Sequence, residues 1–192
     1  MKRMIFNVLA FAFVASFSSC GYNSLVEKQE SVDEKWAQVQ NVYQRRADLI
    51  PNLVAAVKGY AKHESQTLEN VIAARARATQ VTIDPNKLTP ENIQKFQAAQ
   101  DGLSTALGKL MMITENYPDL KANQNFLDLQ AQLEGTENRI ATERRKFNEA
   151  VKDYNTAIRT FPNNMTSGMF GFEKKAYFEA QAGSDKAPKV EF

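Results

Sequence analysis

The sequence has one cysteine and one histidine in 192 residues. The lone cysteine, Cys20, rules out any disulfide within the chain, so packing alone must hold the fold. The lone histidine, His63, removes most metal and nucleophile chemistry. Haem, di-iron and zinc bundles each draw several inward ligands from facing helices. A zinc-protease helix needs a second histidine one turn after its His-Glu pair, and His63-Glu64 is followed by Thr67 at that place. A serine triad would have only this histidine and no elbow motif. His63 therefore reads as a residue of a solvated helix face. Glu134, Glu137 and Glu143 have no histidine partners and read as solvated or ion-paired. No glycine-rich phosphate loop occurs, and no segment alternates at the two-residue period of a strand. These absences lead to the expectation of a non-enzyme with no cofactor, no metal and no catalytic residue. Charge is also scarce in net terms: 24 basic against 22 acidic residues. Two of the basic residues, Lys2 and Arg3, precede Cys20, and without them the chain is formally neutral. A nucleic-acid protein would show a basic excess or stripe, so nucleic acid is not an expected partner.

What is present begins at the N-terminus. Lys2 and Arg3 precede an apolar stretch, Met4 to Phe17, interrupted only by Asn7 and Ser16, and small residues follow. That order is an export signal. The run spans roughly 21 Å as helix, short for a hydrocarbon core of about 30 Å. Phe17-Ser18-Ser19-Cys20 fits a loose form of the bacterial lipoprotein signal, in which the cysteine thiol is acylated before cleavage. Residues 1–19 then form a lipoprotein-type signal peptide, with lipidation at Cys20. The alternative is an uncleaved anchor over residues 4–26, extended by Tyr22, Leu25 and Val26. Either arrangement holds the chain at a membrane, with Lys2 and Arg3 inside and the remainder outside the cytoplasm; ordinary signal cleavage, a third reading, would leave Cys20 an odd free thiol in an exported protein.

Residues 20–164 read as one helical bundle domain and residues 165–192 as an aromatic-rich tail. In the first segment Val32, Trp36, Val39, Tyr43, Ile50, Leu53, Val57, Tyr60, Val71 and Ala74 keep a helical spacing, widened by Leu49, Val54 and Leu68. One very long helix is expected from about Asn23 to about Gln80, kinked near Pro51 because proline clashes with the Ala47 carbonyl and donates no hydrogen bond. Thr82 to Lys87 is a linker. Thr89-Pro90-Glu91 then supplies an N-cap, a first-turn proline and an early acid. Ile93, Phe96, Leu103, Leu107, Leu110 and Met111 form the buried face of that second helix, which ends at Asn116-Tyr117-Pro118. In the third, Phe126, Leu133, Ile140, Phe147, Tyr154 and Phe161 recur every seven residues, supported by Leu129, Val151 and Ile158. Such a repeat implies packing against neighbouring helices with slight left-handed supercoiling. Pro162-Asn163-Asn164 stops it. The expected fold is all-α, a long antiparallel up-down bundle. The tail, with Met169, Phe170, Phe172, Tyr177 and Phe178, is expected to pack on it as a short helix and an extended strip, or else to serve as a strip for docking a partner.

Polar residues concentrate at two places. Arg45, Arg46, Asp48 and Asn52 surround Pro51, and Glu137, Asn138 and Arg139 follow Gly135. Together they form a candidate interhelix polar cluster, in which bidentate arginine–carboxylate pairs would fix register and satisfy the carbonyl freed by the proline. A recognition site at the bend is the functional alternative. Arg144-Arg145-Lys146 reads as a solvated basic run.

Four stretches, Arg45 to Leu53, Glu115 to Asn123, Leu133 to Ile140 and Asp153 to Ile158, resemble the LemA family, as do Phe170-Gly171-Phe172 and Tyr177 to Ala180 in the tail. The resemblance implies a membrane-attached, all-α protein of long antiparallel helices, with no enzymatic activity. Many members keep an N-terminal membrane helix, and the Ser-Ser-Cys ending departs from that pattern. The expected role is an envelope scaffold or adaptor in a bacterial cell, working through contacts with an unknown protein partner. The alternative is a membrane-surface protein that binds or organises lipid. A homo-oligomer is compatible with both.

Overall fold

The computed structural model describes the backbone of residues 2–179 and the side chains of residues 21–179. The expectations for residues 1–19, for acylation at Cys20 and for the end of the tail rest on residues or side chains outside these. Five helices account for most of the described chain: α1 (Lys2–Tyr60), α2 (Ser65–Gln80), α3 (Pro90–Thr114), α4 (Pro118–Lys121) and α5 (Gln124–Ala157). No strand occurs among the described residues, as the absence of two-residue alternation predicts. Among the described residues no helix is long and apolar enough to cross a membrane.

The helix starts follow local rules. Thr89 caps α3, its hydroxyl accepting from the Asn92 amide at 3.3 Å, and Pro90 occupies the first turn, where its missing N–H costs nothing. The helix amide ends there, together with the Thr89 hydroxyl, hold the Glu91 carboxyl below its ordinary value. Asn123 caps α5 in the same way, accepting from the Phe126 amide at 3.1 Å.

The first helix is shorter than its periodicity suggests. It passes through Pro51, ends at Tyr60, and reverses through residues 61–64 into α2. The Ala61 amide donates to the Val57 carbonyl at 2.8 Å and the Glu64 amide to the Ala61 carbonyl at 3.2 Å, closing the turn. His63 lies exposed in that turn rather than on a helix face. The expectation of one helix to Gln80 fails because Val57, Ala61, Leu68, Val71, Ala74 and Ala78 are all buried against the same core. Apolar spacing records burial, and both arms of a hairpin bury the same face, so the spacing survives the reversal.

Cross-helix contacts give the topology. Ala47 of α1 meets Arg75 of α2, Ala78 of α2 meets Gln100 of α3, and Arg46 meets both Gln100 and Glu137 of α5. At one end Tyr117 donates to Glu64 at 2.9 Å and Asn123 to Tyr60 at 2.9 Å. The order is up-down-up-down, with α4 capping the top. α1 and α5, of 59 and 34 residues, form the long pair, and α5 alone spans about 51 Å.

Below the reach of α2 the bundle needs another fourth layer. The linker after α2 and the C-terminal tail supply it. Trp36 is fully buried and donates through Nε1 to the Ile83 carbonyl at 3.2 Å. Phe178 packs against Trp36, Phe96 and Phe147, with ring centroids 5.4 to 6.3 Å apart. The seven-residue row of α5 is buried from Phe126 to Tyr154, but Phe161 is 76% exposed. The helix ends at Ala157, so the last member of the row falls beyond it.

Candidate functional site

Two apolar clusters fill the bundle. The lower contains Val39, Val42, Tyr43, Phe96 and Ile140; the upper contains Ile50, Leu53, Leu103 and Leu133. Between them lies a polar layer centred on Arg46, only 1% exposed. One guanidinium nitrogen, Nη1, donates to Ser104 Oγ at 2.8 Å and to Glu137 Oε1 at 2.7 Å. The other, Nη2, donates to Gln100 Oε1 at 2.7 Å and to the Gln100 carbonyl at 3.2 Å. The guanidinium carbon stands 5.1 Å from the Tyr43 ring centroid. Gln100 passes the connection on, its Nε2 donating to the Ala78 carbonyl at 3.1 Å. One layer thus joins α1, α2, α3 and α5.

The electrostatics are lopsided. Arg46 is buried, whereas the Glu137 side chain is 47% exposed, so the charge pair straddles the boundary between interior and water. The pair is monodentate, with neutral oxygens of Ser104 and Gln100 completing the shell, and Nε has no partner. A buried charge must be matched by hydrogen bonds at a defined height, so this layer penalises axial slippage of the helices. Burial pushes the Tyr43 hydroxyl above its ordinary pKa, against the opposing pull of Arg144 and Arg46.

Of the seven residues expected in the interhelix cluster, the structure brings together Arg46 and Glu137. Arg45, Asp48, Asn52, Asn138 and Arg139 are exposed. Asp48 accepts from Gln44 on its own helix at 2.7 Å. Arg45 and Arg46 lie about 100° apart around the helix, and the core-facing arc takes in Arg46 and Ala47 and leaves Arg45 in solvent.

The carbonyl freed by Pro51 is satisfied by a residue outside the expected cluster. Arg75 of α2 donates through Nε to the Ala47 carbonyl at 2.7 Å. Ala47 is the residue four before the proline, whose carbonyl would otherwise take the amide that Pro51 lacks. The hairpin at residues 61–64 brings Arg75 there, and a single straight helix would have carried it away.

A second set of polar residues holds the tail. Asn155 donates through Nδ2 to the Lys175 carbonyl at 2.8 Å and accepts the Lys175 amide at 3.0 Å. One heptad earlier, Asn148 does the same for Phe178, at 2.9 Å in both directions. Each asparagine amide therefore pairs with an extended backbone as a neighbouring strand would. Lys175 is nearly buried and donates to Asp33 at 2.7 Å and to the Pro85 carbonyl at 3.1 Å. Arg144 lies over the Phe178 ring at 4.6 Å and donates to the Glu179 carbonyl at 3.1 Å, so it belongs to the clamp rather than to a solvated run. Asparagine is a poor residue for a helix interior. Two of them seven apart beside Phe147 and Tyr154 were the signal available in the sequence for this clamp.

Among the described residues no group of three or more His, Cys, Asp or Glu is placed to hold a metal ion. What the arrangement does chemically is to consume donors and acceptors in fixing helix register and seating a peptide strip. This architecture has sequence relatives. The chain is 26% identical over 200 residues to the magnetosome protein MamQ 2 of Paramagnetospirillum magneticum, covering 95% of this chain and 73% of that one. It is 26% identical over 181 residues to the magnetosome protein MamQ of Magnetospirillum gryphiswaldense, covering 85% and 66%. It is 23% identical over 158 residues to the protein LemA of Metamycoplasma hominis, covering 82% and 68%. A model of the LemA family matches residues 35–192, which takes in the polar layer, the asparagine clamp and the tail; the chain belongs to the LemA family.

Proposed function

We propose that this protein is a non-catalytic, membrane-anchored scaffold or adaptor of the bacterial cell envelope, with the bundle outside the cytoplasm. One observation carries the reading. The helix that leaves the apolar N-terminal stretch is the same helix that runs the length of the bundle, α1 from Lys2 to Tyr60. With either anchor, an acylated Cys20 or a retained apolar helix, α1 begins its bundle portion at the anchoring point, and its 40 residues from Gly21 to Tyr60 reach about 60 Å from it. A rod of that length presents contact surfaces at a set distance from a membrane.

The use of the polar residues supports binding over catalysis. Arg46, Gln100, Asn148, Asn155 and Lys175 are engaged in holding helices and tail together. The test is photocrosslinking in cells of the full chain, with probes along the exposed faces of α3 and α5. Reproducible adducts to one protein support the scaffold reading. A blank at every position, with the protein present in the membrane fraction, overturns it.

A further inference from the structure

The loop after α5 carries four exposed large apolar side chains. Phe161 is 76% exposed, Met165 73%, Met169 75% and Phe170 48%. From Thr160 to Phe172 the sequence contains no Asp, Glu, Lys, Arg or His. Other exposed apolar residues, such as Tyr60, Ile72, Met112 and Leu127, are scattered over different elements. Scattered exposure needs no explanation, whereas four such residues within ten positions of one loop, uncharged throughout, point to an interaction site.

The loop is held in place rather than splayed. Ser167 donates to the Ile158 carbonyl at 3.0 Å, and Asn163 donates to the Ala157 carbonyl at 3.3 Å. These bonds strap it across the C-terminal end of α5. It also packs on α1. Tyr22 meets Phe170 edge-on with ring centroids 5.1 Å apart, and Phe172 at 5.7 Å. The Asn163 side-chain oxygen lies 2.7 Å from where a Cβ on Gly21 would sit, so the Asn163 side chain rests directly against the α1 backbone at Gly21.

The chain on the other side of Gly21 indicates the occupant. Residues 4–26 contain no charged side chain, and they belong to the same helix, α1. Two uncharged segments far apart in sequence therefore meet at one end of the molecule. Charge is excluded from the patch, yet hydroxyls, amides and aromatic rings remain. That composition suits the headgroup region of a bilayer, where amphipathic rings reside, and water has no need of the exposed Phe and Met.

We propose that Tyr22, Phe161, Met165, Met169 and Phe170 form a collar that seats the base of the bundle in the headgroup–acyl boundary of a lipid bilayer. The proposal rests on the anchored reading above and adds a second membrane contact to it. Both anchor chemistries lead to the same place. Acyl chains on Cys20 lie two residues from Tyr22, about 3 Å along the helix axis, and a retained helix over residues 4–26 brings the interface to that level.

The test uses the full chain in cells, with p-benzoylphenylalanine in place of Met165 or Met169 and, as a control at the opposite end, in place of Met112. After illumination the membrane fraction is analysed for adducts. The collar predicts phospholipid adducts at positions 165 and 169 several-fold above those at 112. A membrane-bound chain with no excess of lipid adducts at 165 and 169 overturns the collar and leaves the anchor standing. Adducts to a second copy or to another protein at these positions overturn it as well, because the patch is then a protein interface. Recovery of the chain in the soluble fraction overturns the anchored reading and the collar with it.

Discussion

The bond between Arg75 and the Ala47 carbonyl can be weighed by a double-mutant cycle with Pro51. In the native chain the Ala47 carbonyl receives Arg75 Nε at 2.7 Å and no amide from position 51. Ala47 is 2% exposed, so water is a poor substitute. Arg75→Ala should therefore cost about 1.5–3 kcal/mol, the range for a hydrogen bond to a charged group. Pro51 is exposed, so Pro51→Ala sacrifices little packing while restoring the backbone donor. That change should stabilise by roughly 1–3 kcal/mol, given that proline in a helix interior costs about 3 kcal/mol. In the Pro51→Ala background the carbonyl already has its intrahelical partner, and Arg75→Ala should cost under about 1 kcal/mol. The resulting coupling is about 1–2 kcal/mol. Intrinsic helix preferences at position 75 cancel, because the same substitution is made in both backgrounds. Trp36, the only tryptophan and fully buried, reports unfolding in urea by fluorescence. Additivity of the two changes within about 0.5 kcal/mol would refute the account, since it would mean that Arg75 does not serve the carbonyl left by the proline.

In the polar layer, Glu137→Ala leaves the buried Arg46 charge without its carboxylate partner and should cost about 3–5 kcal/mol, read from denaturation midpoints; a cost under about 1 kcal/mol would show that Ser104 and Gln100 alone hold that charge. In the tail, Asn155→Ala removes both bonds to Lys175 and should cost about 2–3 kcal/mol, with faster amide exchange at Lys175; unchanged exchange there would show that the clamp does not hold the strip. Burial, then the charges of Asp33 and Glu173, push the Tyr154 hydroxyl up to about 12. Because the folded value lies above the unfolded value of about 10, the stabilisation is complete below pH 10 and is lost as pH rises through 12. Tyr154→Phe should flatten that alkaline decline, and an unchanged slope would exclude Tyr154 as its source. At the N-terminus, Cys20→Ala should abolish acylation and alter processing; a variant that stays in the membrane fraction at the same mature mass would favour the retained apolar helix.

Helix starts were legible because their determinants are local. Thr89 with Pro90 and the stop signal at Pro118 act within one turn and operate wherever the segment sits, whereas α5 ends at Ala157, before the expected stop at Pro162. The buried face of α5 was legible because a seven-residue repeat needs no knowledge of the partner. The polar cluster was legible in part. Arg46 and Glu137 fell within the seven-residue cluster, but nothing along the chain set them apart from the other five, and Gln100, Ser104 and Arg75 look like ordinary surface residues until α2 and α3 are placed beside α1. Lys175 and Asp33 are 142 positions apart, and no pattern along the chain links them.

The sequence by itself determined the secondary structure class, the apolar faces and the narrow range of chemistry open to a chain with one histidine and one cysteine. These depend on composition and on neighbours within a few residues. Only the tertiary structure decided that the first helix turns back at residues 61–64 and that Arg75 thereby reaches the carbonyl stranded by Pro51. It also decided that the tail fills the fourth layer below α2, and that Phe161, the last of a buried row, ends in an exposed patch. Periodicity records whether a side chain is buried, but the direction of the chain and the identity of the covering surface are set by contacts between segments distant in sequence.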